Sequence, residues 1–407
     1  MPRISAYLRF IRLVVCSAVA ACTMNAIAAG QDDSDIKPTE NSVLKEKLET
    51  IRTKHQLPAL WGGVFHLDGR NAMAATGVRR WNSEPQVTST DPIHLGSCTK
   101  AITAALIGQL CSEGKLKFDM TLHEIFPAEI AKESSWNGVT VQELLKHQSG
   151  LPANLDWWKL MEGSKDVVEA RRSLLLSLSK KQRPQKPTYL YSNCGYTLLG
   201  HIIEKADGRS WEDSMRVRIT QPLHMNTTGF GPILSAEELD QRKTGEAEPL
   251  KIDVPFGHTS KPSLRNVFSG LLGKEVQADW HPVQIDNAPV MGPAGSVHTT
   301  LSDWAKFTLV FADPKGNERL NISADVWKKL LESEVKDGYA GGWIITERSW
   351  ARGRVYTHAG SNTTWYCVVF VAPEKNLCLL AATNAYSAAA ISACDEALVS
   401  AHQIEFK

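Results

Sequence analysis

Two almost wholly apolar segments near the C-terminus constrain the fold of this chain more than any other feature of its sequence. Residues 366–371 and 377–383 flank the polar tetrapeptide at residues 373–376. Apolar runs of this kind, joined by a short turn, predict neighbouring antiparallel strands. Because apolar side chains point to both faces, both faces of the hairpin must be covered. We therefore expect the centre of a sheet here.

The same hairpin bears on disulfide pairing. If Ala372 pairs with Leu377 across the turn, Cys367 and Cys378 are offset along the strands by roughly 13 Å, at about 3.3 Å per residue. The α-carbons of a disulfide lie within about 7 Å of each other. We therefore predict that both cysteines are free thiols in the core.

Segments with helical patterns surround this hairpin. Residues 388–402 predict a helix that could cover one face of the sheet. Near the N-terminus, Ser42 can cap a helix, and a second hairpin follows at residues 60–78. The apolar face of the N-terminal helix consists of Leu44, Leu48 and Ile51. Both ends of the chain thus supply the sheet and the helices that pack against it.

The middle of the chain has a different character. Residues 97–116, 139–146 and 192–206 show helical periodicity, whereas the polar stretch at residues 235–286, rich in Pro and Gly, predicts irregular loops. The order of these elements predicts an α+β fold: a layer with an antiparallel central sheet flanked by helices, plus a mostly helical inserted domain.

We assign domain boundaries from the same order. Residues 42–95 and 291–407 form the predicted sheet domain, and residues 96–290 form the mostly helical domain. Residues 29–41 are polar and include a proline, which predicts a linker.

The first residues have the features of a secretory signal peptide. An apolar stretch begins at Leu13, and Ala26-Ile27-Ala28 forms an A-x-A cleavage pattern. The charged residues before Asp32 are Arg3, Arg9 and Arg12. We therefore predict that residues 1–28 are a signal peptide and that the mature protein is exported, either periplasmic or secreted.

Two alternatives for this segment stay open. It could remain as an uncleaved N-terminal anchor. Residues 19–22 resemble a bacterial lipoprotein processing box, in which Cys22 would be acylated. Because no later run of about 18 apolar residues occurs, we expect membrane association only through this segment or a lipid on Cys22.

Composition excludes several functional classes. The 407 residues include 45 Lys+Arg and 44 Asp+Glu, for a formal net charge of +1. This balance lacks the basic excess that neutralises phosphates, so we expect no nucleic-acid partner. The chain has no CxxC, HxH or HExxH pattern, so we expect no metal and no cofactor. The expected partner is a small-molecule or peptide substrate.

Ser97-Cys98-Thr99-Lys100 forms an SxxK motif at the start of a predicted helix. The spacing puts the hydroxyl and the amine on one helical face. A serine is a poor nucleophile until a base takes its proton, and a lysine can be that base where burial lowers its pKa. The helix N-terminus adds a positive field that favours a neutral amine and a developing oxyanion. Alone, the motif also occurs by chance in many helices.

Two further motifs lie where predicted elements begin. In Tyr191-Ser192-Asn193, the tyrosine can shuttle protons and the asparagine amide can bind a substrate carbonyl or hold a lysine. His358-Ala359-Gly360 precedes the strand at residues 366–371, and its glycine lets a backbone approach a ligand closely. Each motif alone is also consistent with an ordinary helix cap or an ordinary glycine at the start of a strand.

The order of the three motifs, SxxK, YxN and HxG, resembles the penicillin-recognising serine hydrolases, specifically the class C β-lactamase branch. That branch includes class C β-lactamases, D,D-peptidases, D-aminopeptidases and several esterases. The resemblance extends over residues 43–402, and residues 144–151, 222–225 and 292–296 resemble further family segments. It implies a β-lactamase/transpeptidase-like fold.

The resemblance also implies a role for each motif residue. Ser97 would be the acylated nucleophile, and Lys100 and Tyr191 would act as base and proton shuttle, in either order. Asn193 would contact the amide of the substrate. The backbone N–H groups of Ser97 and Ser361 would form the oxyanion hole.

The third motif departs from the Lys-Thr-Gly of class C β-lactamases. Its glycine is retained as Gly360, but a neutral His358 lacks the fixed positive charge that attracts a substrate carboxylate, and Ala359 lacks a hydroxyl. We therefore expect a serine hydrolase that acts on a small ester or a D-amino-acid peptide. A β-lactamase and a non-catalytic binding or structural protein with the same fold are the alternatives.

Overall fold

The structure, a computed structural model, describes residues 39–184, 189–234, 254–260, 278–333, 337–404 and 406. All of them belong to one unit, Ile36–Lys407. The predicted signal peptide and most of the predicted linker lie outside the described residues. Within the described part of the chain, no helix has both the length and the hydropathy needed to cross a membrane.

Twelve strands are found among the described residues. They are β1 (Ala59–His66), β2 (Asn71–Gly77), β3 (Ile93–His94), β4 (Gly229–Phe230), β5 (Gly257–Ser260), β6 (Trp280–Val283), β7 (Val297–Thr299), β8 (Gly338–Ala340), β9 (Trp343–Arg348), β10 (Gly353–Ser361), β11 (Tyr366–Ala372) and β12 (Leu377–Thr383). A 7-stranded antiparallel sheet has the order β2-β1-β12-β11-β10-β9-β8. Two small sheets, β3-β7-β4 and β5-β6, lie outside it.

The apolar C-terminal hairpin is the β11–β12 pair, near the middle of the large sheet, as predicted. Its register pairs Ala372 with Leu377. Cys367 and Cys378 therefore do not face each other, and both are buried, free thiols. The prediction about these two cysteines is confirmed.

Helices cover both faces of the large sheet. The described helices are α1 (Ser42–Lys54), α2 (Thr99–Ser112), α3 (Leu122–Ile125), α4 (Val141–Leu145), α5 (Trp157–Met161), α6 (Val167–Ser179), α7 (Asn193–Asp207), α8 (Trp211–Met215), α9 (Gly292–Gly295), α10 (Leu301–Leu309), α11 (Gly316–Arg319), α12 (Ala324–Leu330) and α13 (Ala388–His402). Helices α1 and α13 pack on one face, and α10 packs against β1 and β12 from the other. The α+β class is confirmed.

The N-cap of helix α1 lies one residue before the one that the sequence indicates. Leu44, Leu48 and Ile51 are buried, as predicted. The cap, however, is Asn41 and not Ser42, because Asn41 keeps an extended backbone and its Oδ1 accepts the N–H of Leu44 at 2.8 Å.

The predicted helices at residues 97–116, 139–146 and 192–206 correspond to α2, α4 and α7. The expectation of irregular loops over residues 235–286 is wrong where β5 and β6 pair. The N–H of His258 in this ladder also donates to the carbonyl oxygen of Thr364, a residue distant in the sequence, at 3.0 Å. Residues 235–253 and 261–277 lie outside the described residues.

Candidate active site

Ser97 lies in a 3₁₀ turn, Gly96–Cys98, that leads directly into α2. Gly96 has a φ of +46°, and a Cβ there would overlap the backbone nitrogen of Ser361, so only glycine fits. Ser97 is partly exposed, whereas Lys100, within the first turn of the helix, is 0% exposed. The SxxK motif thus places a reachable hydroxyl beside a desolvated amine.

The amine of Lys100 has three neighbours at hydrogen-bond distance. Its Nζ lies 2.8 Å from Oδ1 of Asn193, 2.7 Å from the carbonyl oxygen of Ala294 and 3.1 Å from Oγ of Ser97. The first two oxygens can only accept, so each takes one N–H bond. A neutral amine has two N–H bonds and one lone pair. In the neutral form, its lone pair is therefore left for the Ser97 hydroxyl.

Burial lowers the pKa of Lys100 from its ordinary value to about 7. No carboxylate contacts the amine among the described residues; the rings of Tyr191 and Tyr196 lie 4.8 and 5.6 Å from Nζ instead. Without a carboxylate to hold the charged form, a large fraction of the amine is unprotonated near neutral pH. This is the state that a general base requires.

Asn193 is positioned by the start of α7. Ser192 caps that helix, and its backbone N–H donates to Nδ1 of His147 at 3.1 Å. The side chain of Asn193 then connects two groups: Oδ1 accepts from Lys100, and Nδ2 donates to Oδ1 of Asn154 at 2.8 Å. The amide of Asn193 therefore orients the lysine together with the carbonyl group of Ala294, which belongs to α9.

Tyr191 faces the same space. Its hydroxyl is buried and makes no complete hydrogen bond with any other described residue. Burial raises the pKa of Tyr191 well above its ordinary value, and the nearby Ser97 side chain only partly offsets this effect. The phenol is therefore neutral at neutral pH, and it can pass on a proton more readily than it can act as a phenolate base.

The third motif lies within strand β10. A Cβ at Gly360 would overlap the carbonyl oxygen of Leu95 and come within 3.0 Å of the backbone nitrogen of Ser97. With the close approach of Gly96 to the nitrogen of Ser361, this packing brings the backbones of Ser97 and Ser361 side by side. Paired N–H groups beside a nucleophile are what an oxyanion hole requires.

His358 points away from solvent. It is 5% exposed, whereas the next residue, Ala359, is exposed, since successive side chains of a strand alternate between faces. Nδ1 of His358 lies 2.6 Å from the carbonyl oxygen of Ala359, so it carries the proton, and Nε2 accepts from the hydroxyl of Tyr339 at 3.1 Å. Burial lowers the pKa of His358 to about 3, and the ring is neutral.

The structure therefore brings together Ser97, Lys100, Tyr191 and Asn193, with the backbone of Gly360 and Ser361 on the other side of the nucleophile. His358 lies behind this group, where it contacts protein atoms on both ring nitrogens.

Sequence reasoning assigned no role to four supporting residues. Ala294 acts through its carbonyl group, so its side chain gave no clue. Asn154 and Tyr339 are polar residues without a motif of their own. His147 belongs to a segment noted only for its resemblance, although its buried ring, 4.4 Å from that of Tyr191, has a strongly lowered pKa because of burial and the nearby Lys100.

Comparisons with known proteins agree on one family. The family model described as Beta-lactamase matches residues 44–400. Penicillin-binding protein 4 of Amycolatopsis lactamdurans is 26% identical over 366 residues, which cover 85% of this chain and 86% of that protein.

Two solved structures show the same fold. A class C β-lactamase from Rhodobacter sphaeroides superposes with a TM-score of 0.65 at 17% identity, over 88% of this chain and 99% of its own. SurE with D-Leu superposes with a TM-score of 0.64 at 21% identity, over 88% of this chain and 74% of its own. The predicted β-lactamase/transpeptidase-like fold is confirmed.

Proposed function

Because the chain belongs to the β-lactamase family, we propose that it is a serine hydrolase that forms an acyl-enzyme on Ser97. The observation that carries this proposal is the set of contacts around Lys100. Two carbonyl oxygens take its N–H bonds, and its lone pair faces the Ser97 hydroxyl.

In the first step, Oγ of Ser97 attacks the carbonyl carbon of the substrate while its proton moves to Nζ of Lys100. The carbonyl oxygen gains negative charge, which the N–H groups of Ser97 and Ser361 would stabilise. When the tetrahedral intermediate collapses, the bond to the leaving group breaks. The leaving oxygen or nitrogen takes a proton, for which the neutral phenol of Tyr191 is the nearest relay to Lys100.

In the second step, a water molecule replaces the leaving group. It gives a proton to the Lys100–Tyr191 pair and attacks the acyl carbon. The collapse of this second intermediate breaks the bond to Oγ, which regains its proton. The acid product leaves, and the serine and the amine return to their starting states.

The charge of the site favours an acyl donor that has no carboxylate beside the scissile bond. The position that carries a lysine in class C β-lactamases is the buried, neutral His358, and the exposed residue of the motif is Ala359, which offers no hydroxyl. No other side chain of the motif supplies a fixed positive charge for a carboxylate beside the scissile bond. We therefore favour an ester or a D-amino-acid amide over a β-lactam.

A D-amino-acid peptide is the second candidate. Its support is the fold shared with SurE, whose crystal structure contains D-Leu. Such a substrate presents to Ser97 an acyl group without a carboxylate, in keeping with the lack of a fixed cation at position 358.

A covalent label tests the proposal directly. Mass spectrometry of the intact protein after reaction with a fluorophosphonate should show one adduct on the wild type and none on Ser97→Ala. Hydrolysis of p-nitrophenyl butyrate, D-Ala-p-nitroanilide and nitrocefin would then distinguish an esterase, a D-aminopeptidase and a β-lactamase. A folded wild type without any adduct would favour the non-catalytic alternative.

We also propose that residues 1–28 direct export. Expression in a bacterium with both signal peptidase types tests this. A mature N-terminus at Ala29 supports ordinary cleavage, whereas a lipid-sized mass increase on a chain that begins at Cys22 supports anchoring. An intact N-terminus in the cytoplasm contradicts export.

A further inference from the structure

Two backbone segments form the predicted oxyanion hole, and one side chain of the first, Cys98, has its Sγ 3.5 Å from the carbonyl oxygen of His358 in the strand that carries the second. Gly96 and Gly360 allow the segments to touch, because a Cβ at either residue would overlap the opposite backbone. Contact alone does not keep the N–H groups of Ser97 and Ser361 aimed at one point. Side chains that bond to the two segments from either side are needed for that alignment.

His94 holds the first segment. Its ring is 1% exposed, and Nδ1 accepts the backbone N–H of Gly96 at 3.1 Å. An N–H group can only donate, so Nδ1 must carry the lone pair and Nε2 must carry the proton. A second proton on this ring would break the bond to Gly96. The contact thus fixes both the tautomer of His94 and the entry to the nucleophile turn.

Asn362 holds the second segment, directly after Ser361. Its Oδ1 accepts from the backbone N–H groups of Thr364 and Trp365 at 3.2 and 3.0 Å. Its Nδ2 donates to Oδ1 of Asp286 at 2.9 Å. The turn that ends β10 is therefore tied to a carboxylate on a different part of the chain.

The same carboxylate reaches His94. Nε2 of His94 lies 2.9 Å from Oδ1 of Asp286, although the ring N–H bond is not aligned for a full hydrogen bond. Both side chains are 1% exposed. Burial alone would raise the pKa of Asp286, but His94, Asn362 and the N–H of Asn287 outweigh it and lower that pKa. Asp286 is thus an ionised carboxylate shared by both segments.

We propose that His94, Asp286 and Asn362 form a polar clamp that sets the geometry of the oxyanion hole. Asp286 is the central positioning residue: through His94 it orients the turn before Ser97, and through Asn362 it orients the turn after Ser361. None of the three side chains touches the reacting atoms. This inference rests on the proposed function and adds a specific support for its transition state.

Variants of His94 separate the two halves of the clamp. The amide of an asparagine takes the place of Nδ1 of a histidine, so His94→Asn keeps an acceptor for the N–H of Gly96 but loses the contact with Asp286. The amide of a glutamine takes the place of Nε2, so His94→Gln keeps the contact with Asp286 but loses the one with Gly96. Asp286→Ala removes the shared carboxylate, and Asp286→Asn is the conservative variant. His201→Gln is the matched control, because His201 pairs with Glu204 at 3.0 Å inside α7.

The readouts are kcat and KM for p-nitrophenyl butyrate and the inhibition constant of a boronic acid. The value of kcat is calculated per labelled active site. Loss of an oxyanion donor lowers kcat by about 10²–10³, so a misaimed donor should lower it by about tenfold to a hundredfold. We expect kcat of His94→Asn, His94→Gln and Asp286→Ala to fall in this range. KM should change less than about threefold, boronate binding should weaken in parallel with kcat, and Asp286→Asn should recover part of the loss.

A structural role alone would give a different result. The variants would then have a lower melting temperature and a smaller fraction of labelled protein, which a destabilised His201→Gln control would also show. Their kcat per labelled site would stay at the wild-type value. That outcome overturns the clamp. If the wild type itself forms no adduct, the proposed function fails instead. Amide hydrogen exchange then decides on the clamp, which requires faster exchange at residues 95–97 and 360–362 in Asp286→Ala than in the wild type.

Discussion

Lys100 donates from Nζ to the carbonyl oxygen of Ala294 at 2.7 Å, although 194 positions separate the two residues in the chain. The acceptor belongs to α9, a one-turn helix that packs against both α2 and α7. Because a carbonyl oxygen only accepts, this contact fixes one N–H bond of the amine. Asn193 fixes the other, so the direction of the lone pair toward Ser97 is set by the packing of three helices.

We predict that acylation of Ser97 rises with pH and levels off above about 7. Burial lowers the pKa of Lys100 to about 7, and below that pH the amine is protonated and has no lone pair. The rate constant for fluorophosphonate labelling, measured from about pH 5 to about pH 9, should increase up to about tenfold per unit on the acid side. A rate that does not vary with pH would contradict Lys100 as the base.

Lys100→Arg is the matched control for this profile. A guanidinium keeps the charge and does not lose its proton in this range. The variant should label about 10²–10⁴ times more slowly, and its residual rate should lack the rise near pH 7.

The pKa of Lys100 also predicts a change of stability with pH. The folded pKa lies below that of the unfolded chain, so between about pH 7 and pH 10 the unfolded chain binds more protons. The free energy of unfolding of the wild type, relative to Lys100→Met, should therefore rise with pH by up to about 1.4 kcal/mol per unit in this window. Urea titrations at several pH values measure the slope, and a constant or falling difference would show that the buried amine stays charged.

Tyr191→Phe should slow acylation by about 10²–10³ without moving the acid limb of the pH profile. The phenol relays a proton, but burial raises its pKa well above the pH range of the measurement. The acid limb of the profile therefore reports the titration of Lys100. Stopped-flow measurement of p-nitrophenol release checks this. A shift of the limb by more than about one unit would give Tyr191 the role of base.

Tyr339→Phe makes the same chemical change in a neighbouring ring, 6.1 Å away. It removes the donor to Nε2 of His358 and leaves that buried nitrogen unpaired, at a cost of about 1–3 kcal/mol in the free energy of unfolding. We expect the loss of stability in urea to exceed that of Tyr191→Phe and the loss of activity to be smaller. The reverse order would place Tyr339 in the proton pathway.

Arg171 should be far more important for stability than its neighbour Arg172. Arg171 is 0% exposed and pairs with Glu204 and Glu212 at 2.5 and 2.7 Å, whereas Arg172 is exposed and pairs with Glu129. Arg171→Leu should lower the free energy of unfolding by about 3–5 kcal/mol, because it removes the cation that neutralises the buried carboxylate of Glu204 and the partly buried carboxylate of Glu212.

Arg172→Ala provides the comparison, with an expected change of about 0–1 kcal/mol. Replacing Arg171 and Glu204 together by leucine should cost less than the sum of the two single replacements, since neither charge is then left alone. Additive losses would mean that the pair does not interact energetically.

Local pattern determined much of the fold. The apolar runs predicted β11 and β12, because a strand buried on both faces must be apolar throughout. The register assumed across their turn, with Ala372 opposite Leu377, is the one that the structure has. The helical periodicity of residues 192–206 likewise predicted α7, and in the structure Ser192 and Gly208 cap its two ends. The pairing of β5 with β6 was missed because each strand has only 4 residues, too few for a clear alternation of apolar and polar side chains.

The sequence by itself determined which reactive groups are present: a serine and a lysine on one helical turn, a tyrosine and an asparagine at a second helix start, and a glycine before a strand. Only the tertiary structure decided the state of each group. Burial, which no motif encodes, sets the pKa of Lys100 and turns His358 away from solvent. The direction of the lysine lone pair depends on the carbonyl group of Ala294, which comes from a distant segment. The position of the turn after Ser361 depends likewise on the carboxylate of Asp286.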